Sequence, residues 1–166
     1  LQTVVMEGVK SSFKLVISGV PQGTVLGPIL FILYIDDRLD SLISALGKIF
    51  ADDTKLIGKI VDLASKCLLQ EDLLNVTKWA ALNNMKLNEA KFEVINYKLN
   101  HCQSLREFPF SNENYNYNLT DGDTIEPAQV VRDLGVLISN DCSWTPHIHT
   151  MLESARKIAA WVLSVF

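Results

Sequence analysis

The sequence predicts an α+β fold, with helices packed on a mainly antiparallel sheet. Short β-branched or alternating runs recur along the chain, bounded by turn residues. Two longer stretches, about 62–84 and 145–166, repeat apolar residues at three- and four-residue spacing. The β-like runs come mostly in adjacent pairs, giving the order ββ-α-ββ-α-β-loop-β-α rather than a strict β-α alternation. No internal repeat is visible.

Residues 3–9 and 13–17 carry Thr3, Val4 and Val5, then Phe13, Leu15, Val16 and Ile17, with Gly8, Lys10, Ser11 and Ser12 between them. This predicts a β-hairpin. Residues 18–23, Ser-Gly-Val-Pro-Gln-Gly, form a turn-rich break. From Thr24 the pattern is helical, with Leu26, Ile29, Leu30, Leu33 and Tyr34 on one apolar face. Pro28 falls early, where a helix tolerates it best, and the helix is expected to end before Gly47. Residues 48–51 and 54–57 are two short β-like runs joined by Asp52-Asp53, a tight hairpin with two carboxylates at its tip.

The helix over 62–84 has Leu69, Leu73, Val76 and Ala80 as its buried stripe. Asn83, Asn84 and Asn88 supply stop and turn signals, and residues 92–97 read as another strand. Residues 98–124, rich in Asn, Ser, Glu and Asp, are expected to be the least ordered. Leu134 to Ile138 reads as a strand. In the closing helix Thr145 is placed as N-cap and Pro146 as first residue. Its stripe runs through Ile148, Met151, Leu152, Ala155, Ile158, Ala159, Val162, Leu163 and Phe166.

A chain of 166 residues can bury a substantial core. Its 48% hydrophobic and 20% charged content excludes whole-chain disorder. The longest apolar stretch, around Ile29 to Ile35, falls short of the ~20 residues a bilayer span needs, so no membrane partner is expected. No secretory signal pattern opens the chain, and the first residue, Leu1, suggests a fragment. Net charge is −4, divided as −1 over residues 1–97 and −3 over 98–166. That balance argues against a free-standing nucleic-acid binder, which usually shows a basic face. The three cysteines, Cys67, Cys102 and Cys142, are odd in number and widely spread, which points to the inside of the cell without distinguishing nucleus from cytoplasm. Cys142, His147 and His149 lie close together but lack the fourth ligand zinc wants, so a polar turn is expected there.

Asp52-Asp53 is the sharpest chemical feature. Aspartate is a common turn former, and that alone explains two of them in a hairpin. The flanks are apolar, however: Ile49-Phe50-Ala51 before, Leu56-Ile57 after. Adjacent acids repel unless a cation neutralises them. Magnesium is held by one or two carboxylates together with substrate phosphates, and serves phosphoryl transfer from such sites. A second Asp pair, Asp36-Asp37 after Tyr34-Ile35, falls at the end of the first helix. Acids there oppose the helix dipole, so a solvated helix end is expected.

The segment Ser18-Gly19-Val20-Pro21-Gln22-Gly23-Thr24-Val25-Leu26-Gly27-Pro28-Ile29-Leu30-Phe31 resembles the motif B signature of reverse transcriptases from non-LTR (LINE-type) retrotransposons, of the jockey and CR1 kind. Phe50-Ala51-Asp52-Asp53 resembles motif C, 27 positions after Gly23; Tyr34 follows Gly23 by only 11, too close for that box. Trp79, Asn84 to Asn88 and Lys91 resemble the motif D region. Arg132 to Ile138 resembles the motif E primer-grip strand, and Ser143 to Ile148 with the following helix resembles the start of the thumb. The resemblance covers almost the whole chain.

It implies part of a right-hand polymerase palm over residues 1–140 and the start of a thumb over 141–166. Asp52 would be a ligand of Mg2+ (or Mn2+) and Asp53 its weaker neighbour. Pro21, Gln22 and Gly23 would lie near template and incoming nucleotide, Gly23 because a backbone approaching a ligand closely suits glycine. Lys91 would assist proton transfer to the leaving pyrophosphate, or else be a solvated strand-edge lysine, since acid–base work needs a tuned pKa. Leu134 and Gly135 would help hold the primer end. RNA template, DNA primer and deoxynucleotides are the partners implied for the full-length protein.

The family's motif A, with its own essential aspartate, has no counterpart in residues 1–17, and the basic fingers are not recognisable. The expectation is therefore a reverse transcriptase fragment, inactive alone. The rival is a non-catalytic retroelement remnant, acting as an interaction module or having no function.

Overall fold

The computed structural model describes residues 1–15, 19, 23–97, 116–119 and 122–165. Two compact units divide the chain, Leu1–Arg38 and Leu39–Phe166.

In the first unit, strands β1 (Val5–Met6) and β2 (Val9–Lys10) form an antiparallel hairpin. Its turn is Glu7-Gly8, both at positive φ, 51° and 81°. Two positive φ values match the right-handed twist of the flanking strands. The expected hairpin is present, but its turn lies earlier than residues 8–12, because Gly8 offers the left-handed geometry the serines do not. The pairing ends in a bridge between Gln2 and Lys14. The part of the second expected strand at Val16 and Ile17 lies outside the described residues.

Helix α1 spans Leu26–Ile35, and the Gly27 N–H donates to the Thr24 hydroxyl at 3.0 Å. The chain then tightens into a 3-10 turn, Asp36–Leu39. The helix is therefore short. Asp36-Asp37 occupy the 3-10 turn rather than a hairpin, as their place after the helix implied. The apolar residues of α1 are not confined to one face, and Leu26, Ile29, Leu30, Leu33 and Tyr34 are all exposed.

The second unit opens with β3 (Leu46–Phe50) and β4 (Asp53–Ile57), an antiparallel hairpin. Helix α2 follows, Leu63–Leu82. Its start is set by Asp62, whose carboxylate accepts the Ser65 N–H at 2.7 Å while the Ser65 hydroxyl accepts the Asp62 N–H at 3.0 Å. This reciprocal cap satisfies two amides that a helix start leaves open. The Ser65 amide, then its hydroxyl, hold the Asp62 carboxyl below the usual carboxylate range. Asn83 ends the helix, where its N–H reaches back to the Trp79 and Ala81 carbonyls.

Beyond α2 come a 3-10 turn (Glu89–Lys91), β5 (Val94–Ile95), β6 (Tyr117–Asn118), β7 (Thr124–Ile125), β8 (Pro127–Ala128), β9 (Val130–Asp133) and β10 (Val136–Ser139). Helix α3 is Thr145–Val165. Pairs β6–β7 and β9–β10 are antiparallel, whereas β5 and β8 pair in parallel. Among the described residues the strands form separate two-stranded ladders instead of the one sheet expected.

The core differs most from expectation. Tyr117, Leu119 and Ile125 are buried together, and Ile60, Leu69, Leu73, Phe92 and Val94 pack against them. Three of these core residues fall at or beside the stretch expected to be least ordered. Burying one such side chain contributes about 1.5–3 kcal/mol, so a few apolar residues outweigh a polar average. Gln70 of α2 fixes this hairpin: its amide donates to the Asn118 carbonyl at 2.8 Å and accepts the Asn118 N–H at 2.7 Å, as a neighbouring strand would. Residues 98–115 lie outside the described residues. The expected stripe of α2 holds, with Val76 and Ala80 buried. The stripe of α3 does not become a buried face, since no residue of that helix is buried.

Candidate functional site

The β3–β4 register pairs Phe50 with Asp53, Ile49 with Thr54, Lys48 with Lys55, Gly47 with Leu56 and Leu46 with Ile57. The two-residue turn is thus Ala51-Asp52, and Asp53 is the first residue of β4, a shift of one from the expected Asp52-Asp53 tip. Ala51 sits at φ 51°. A residue with a Cβ adopts that left-handed geometry at a cost of roughly 1–2 kcal/mol, so the turn before the acids is strained. Asp52 and Asp53 are exposed. Their mutual repulsion is therefore screened by water, rather than acting within a buried hairpin.

Partners on one face follow from strand alternation. Asp53, Lys55 and Ile57 share a face with Phe50, Lys48 and Leu46. Thr54 and Leu56 share the opposite face with Ile49 and Gly47.

The base of the hairpin is clamped. Asp72 of α2 is 0% exposed. Its carboxylate accepts the N–H groups of Ile43 (2.5 Å), Ser44 (2.9 Å) and Ala45 (2.7 Å), and the Ser44 hydroxyl (3.0 Å). Burial alone would raise its pKa. The three amides and the hydroxyl outweigh that and hold it below the usual carboxylate range. The chain leaves this clamp at Ala45 and enters β3 at Leu46. Gly47 lies so close to the Leu39 and Leu42 side chains that a Cβ there would stand 2.6 and 2.7 Å from their methyl carbons.

A second hairpin approaches the same face. In β9–β10, Asp133 pairs with Val136, leaving Leu134-Gly135 as the turn. Both have positive φ, 46° and 88°, and Leu134 is 52% exposed. The expected strand from Leu134 to Ile138 therefore begins two residues later, because glycine after leucine lets the chain reverse. Lys55 Nζ lies 2.5 Å from Asp133 Oδ1, joining the two hairpins. Burial, then negative charge at Cys142 and Asp133, push the Tyr97 phenol above its ordinary value, with Lys55 opposing.

The remaining expected site residues belong to other segments of the chain. Lys91 ends the 3-10 turn Glu89–Lys91 and is exposed, not on a strand edge. Gly23, in the first unit, sits at φ 80° with open space where a Cβ would be, so its backbone geometry and not crowding demands glycine. Pro21 and Gln22 lie outside the described residues. His147 Nδ1 accepts the Leu137 N–H at 3.4 Å. Cys142 with the two histidines forms no metal group: among the described residues no three or more His, Cys, Asp or Glu side chains come together to hold an ion.

Asp72, Lys55 and Asp133 were not anticipated as site residues. Asp72 had a signal: it stands at the buried spacing of Leu69, Leu73, Val76 and Ala80, where an acid is out of place. The ion pair had none, because spacing within one strand says nothing about a hairpin some 80 residues away.

Asp52 and Asp53 offer hard oxygen ligands, the donor set magnesium takes, in the number it commonly draws from a protein beside substrate phosphates. They fit as part of such a site.

A family model described as reverse transcriptase (RNA-dependent DNA polymerase) matches residues 2–138. The "RNA-directed DNA polymerase from mobile element jockey" of Drosophila melanogaster is 27% identical over 178 residues, covering 97% of this chain and 18% of the relative. The protein of the same name from Drosophila funebris is 25% identical over 162 residues, covering 93% and 16%. The chain thus spans less than a fifth of the length of these curated relatives. No solved structure matches. No helix among the described residues is long and apolar enough to cross a membrane.

Proposed function

The chain belongs to the reverse transcriptase (RNA-dependent DNA polymerase) family, and from that membership we propose that it contributes the metal-binding hairpin and primer-end turn of an RNA-templated DNA polymerase. The observation that carries this is the geometry of Asp52 and Asp53. They are adjacent, exposed and presented by a strained two-residue turn whose base is clamped by Asp72.

In this reading Asp52 and Asp53 would hold Mg2+ or Mn2+, which when bound would supply charge neutralisation for nucleotidyl transfer. The primer 3′ oxygen attacks the α-phosphorus of a deoxynucleotide. A new bond forms between that oxygen and the α-phosphorus, the bond from the α-phosphorus to the oxygen bridging to the β-phosphate breaks, the hydroxyl proton passes to water, and pyrophosphate leaves. Asp52 is the principal ligand and Asp53 the lesser one. The exposed Leu134-Gly135 turn supports the primer end, Pro21, Gln22 and Gly23 lie by template and nucleotide, and Lys91 delivers a proton to the pyrophosphate. RNA template, DNA primer and deoxynucleotides are the partners of the longer protein. Residues 1–140 form the palm part and 141–166 the start of the thumb. Without substrate phosphates to complete the coordination, two exposed carboxylates bind metal weakly, and the 166 residues alone do not extend a primer.

The test is calorimetric titration of Mg2+ and Mn2+ into the chain and into Asp52→Asn. Weak binding that the substitution abolishes supports the reading. Equal heats from both proteins would remove the metal role.

A further inference from the structure

The Lys55–Asp133 contact joins two turns that the chain keeps far apart in sequence. Lys55 is two residues from Asp53 and on the same face of the hairpin. Asp133 is the last residue of β9, directly before the Leu134-Gly135 turn. Each end of the pair therefore reports the position of one tip. The side chains are 35% and 29% exposed, so water reaches the pair without dissolving it.

Two features make Asp133 more than an incidental neighbour. The register places Lys48 directly across from Lys55. Like charges in that relation weaken a hairpin, and the Asp133 carboxylate offsets one of them. The β5 segment also packs against β9, the strand that Asp133 ends. The contact thus lies where β4, β9 and the end of the β5 segment meet, and is not a side chain reaching into solvent.

We propose that Lys55 and Asp133 are a positioning pair, which fixes the Leu134-Gly135 turn relative to the Asp52-Asp53 hairpin. The inference rests on the reading above, in which one tip holds the metal and the other the primer end. Neither residue touches substrate. Their part is to keep the two tips at one separation while primer and metal are brought together. The strained φ of Leu134 gives the pair something to restrain, since a bulky residue held left-handed drifts when its anchor is lost.

The test is made on the 166-residue chain. Its three cysteines are replaced by serine, and a nitroxide is attached at Phe50→Cys, an exposed position on the face of Lys55. NMR line broadening at the Gly135 amide then reads the distance between the tips. Lys55→Glu and Asp133→Lys each place like charges together, and each is expected to lower the broadening about twofold or more, a coupling of the size seen for residues in contact. The double exchange, Lys55→Glu with Asp133→Lys, is expected to restore it. Lys55→Met and Asp133→Asn, which add no repulsion, give the same loss if a reversed charge prevents folding. Unchanged broadening in the single variants, or a double variant that recovers nothing, overturns the proposal. Mn2+ titration of the same variants keeps the two ideas apart. Retained binding with lost broadening supports the pair acting on geometry alone. Lost binding in Asp52→Asn, beside a normal response to the charge exchange, leaves both ideas standing. Absent binding throughout sinks the metal reading without touching the pair.

Discussion

The buried carboxylate of Asp72 accepts the N–H of Ile43 at 2.5 Å, and through Ser44 and Ala45 it holds the whole entry to β3. A helix side chain thus sets where the hairpin bearing Asp52 begins. The acids at the tip are exposed and local, but their base is fixed from the interior.

Removing that carboxylate leaves three amides without their acceptor. Asp72→Ala is expected to destabilise the chain by about 3 kcal/mol, the scale of losing charged hydrogen bonds at a buried site. Urea unfolding of the two proteins checks it, and a difference below about 1 kcal/mol would show that the loop does not need the clamp.

The same group predicts a pH dependence. Its pKa in the folded chain lies below the 3.8 of an ordinary aspartate. Its contribution is therefore complete above 3.8 and is lost as pH falls through the lower folded value. Asp62 and Asp141 are lowered too, by Ser65 and by Ser139 with Ser143, and act in the same direction. Unfolding midpoints are expected to fall as pH drops below 3.8, and to fall less steeply in Asp72→Asn. A parallel pH profile for that variant would contradict this.

A side chain at Gly47 would press on the terminal methyls of Leu39 and Leu42 and force them to shift. Gly47→Ala is expected to cost about 1–3 kcal/mol, as overpacking does, and to move the Lys48 and Ile49 amide resonances. Measured stability within error of the parent would mean that the leucines swing aside freely.

Leu134 carries a left-handed φ that suits Asn or Gly. Leu134→Asn is expected to raise stability by up to about 1 kcal/mol. In a polymerising form of the protein it is expected to weaken use of the primer end, a stability gain set against a functional loss. A rise in stability with unaltered primer use would remove Leu134 from the proposed site.

Local patterning made much of this legible. The hairpin around Asp52 follows from two β-like runs and a pair of turn-forming acids, and α2 follows from Leu69, Leu73, Val76 and Ala80 with Asp62 and Asn83 at its ends. What patterning missed is non-local. Tyr117, Leu119 and Ile125 form the core out of a stretch whose average composition is polar, because burial is decided by a few side chains meeting α2. Likewise, β5 pairs in parallel with β8 across a long connection that no turn signal announces. At the candidate site, Asp52 and Leu134 could be singled out from stretches that resemble family motifs, whereas Asp72 and the Lys55–Asp133 contact depend on elements packing together. The exact turn positions, Ala51-Asp52 and Leu134-Gly135, also escaped, since a hairpin turn can slide by one residue along the chain while the two strands keep the same faces.

The most direct test of the central claim is Mn2+ titration followed by NMR on the intact chain. Bound manganese broadens nearby amides. The account predicts early, selective loss of the Ala51, Asp52 and Asp53 signals, abolished in Asp52→Asn while the rest of the spectrum is retained. Broadening spread evenly over the acidic surface, or unchanged by Asp52→Asn, would contradict a metal site at this hairpin.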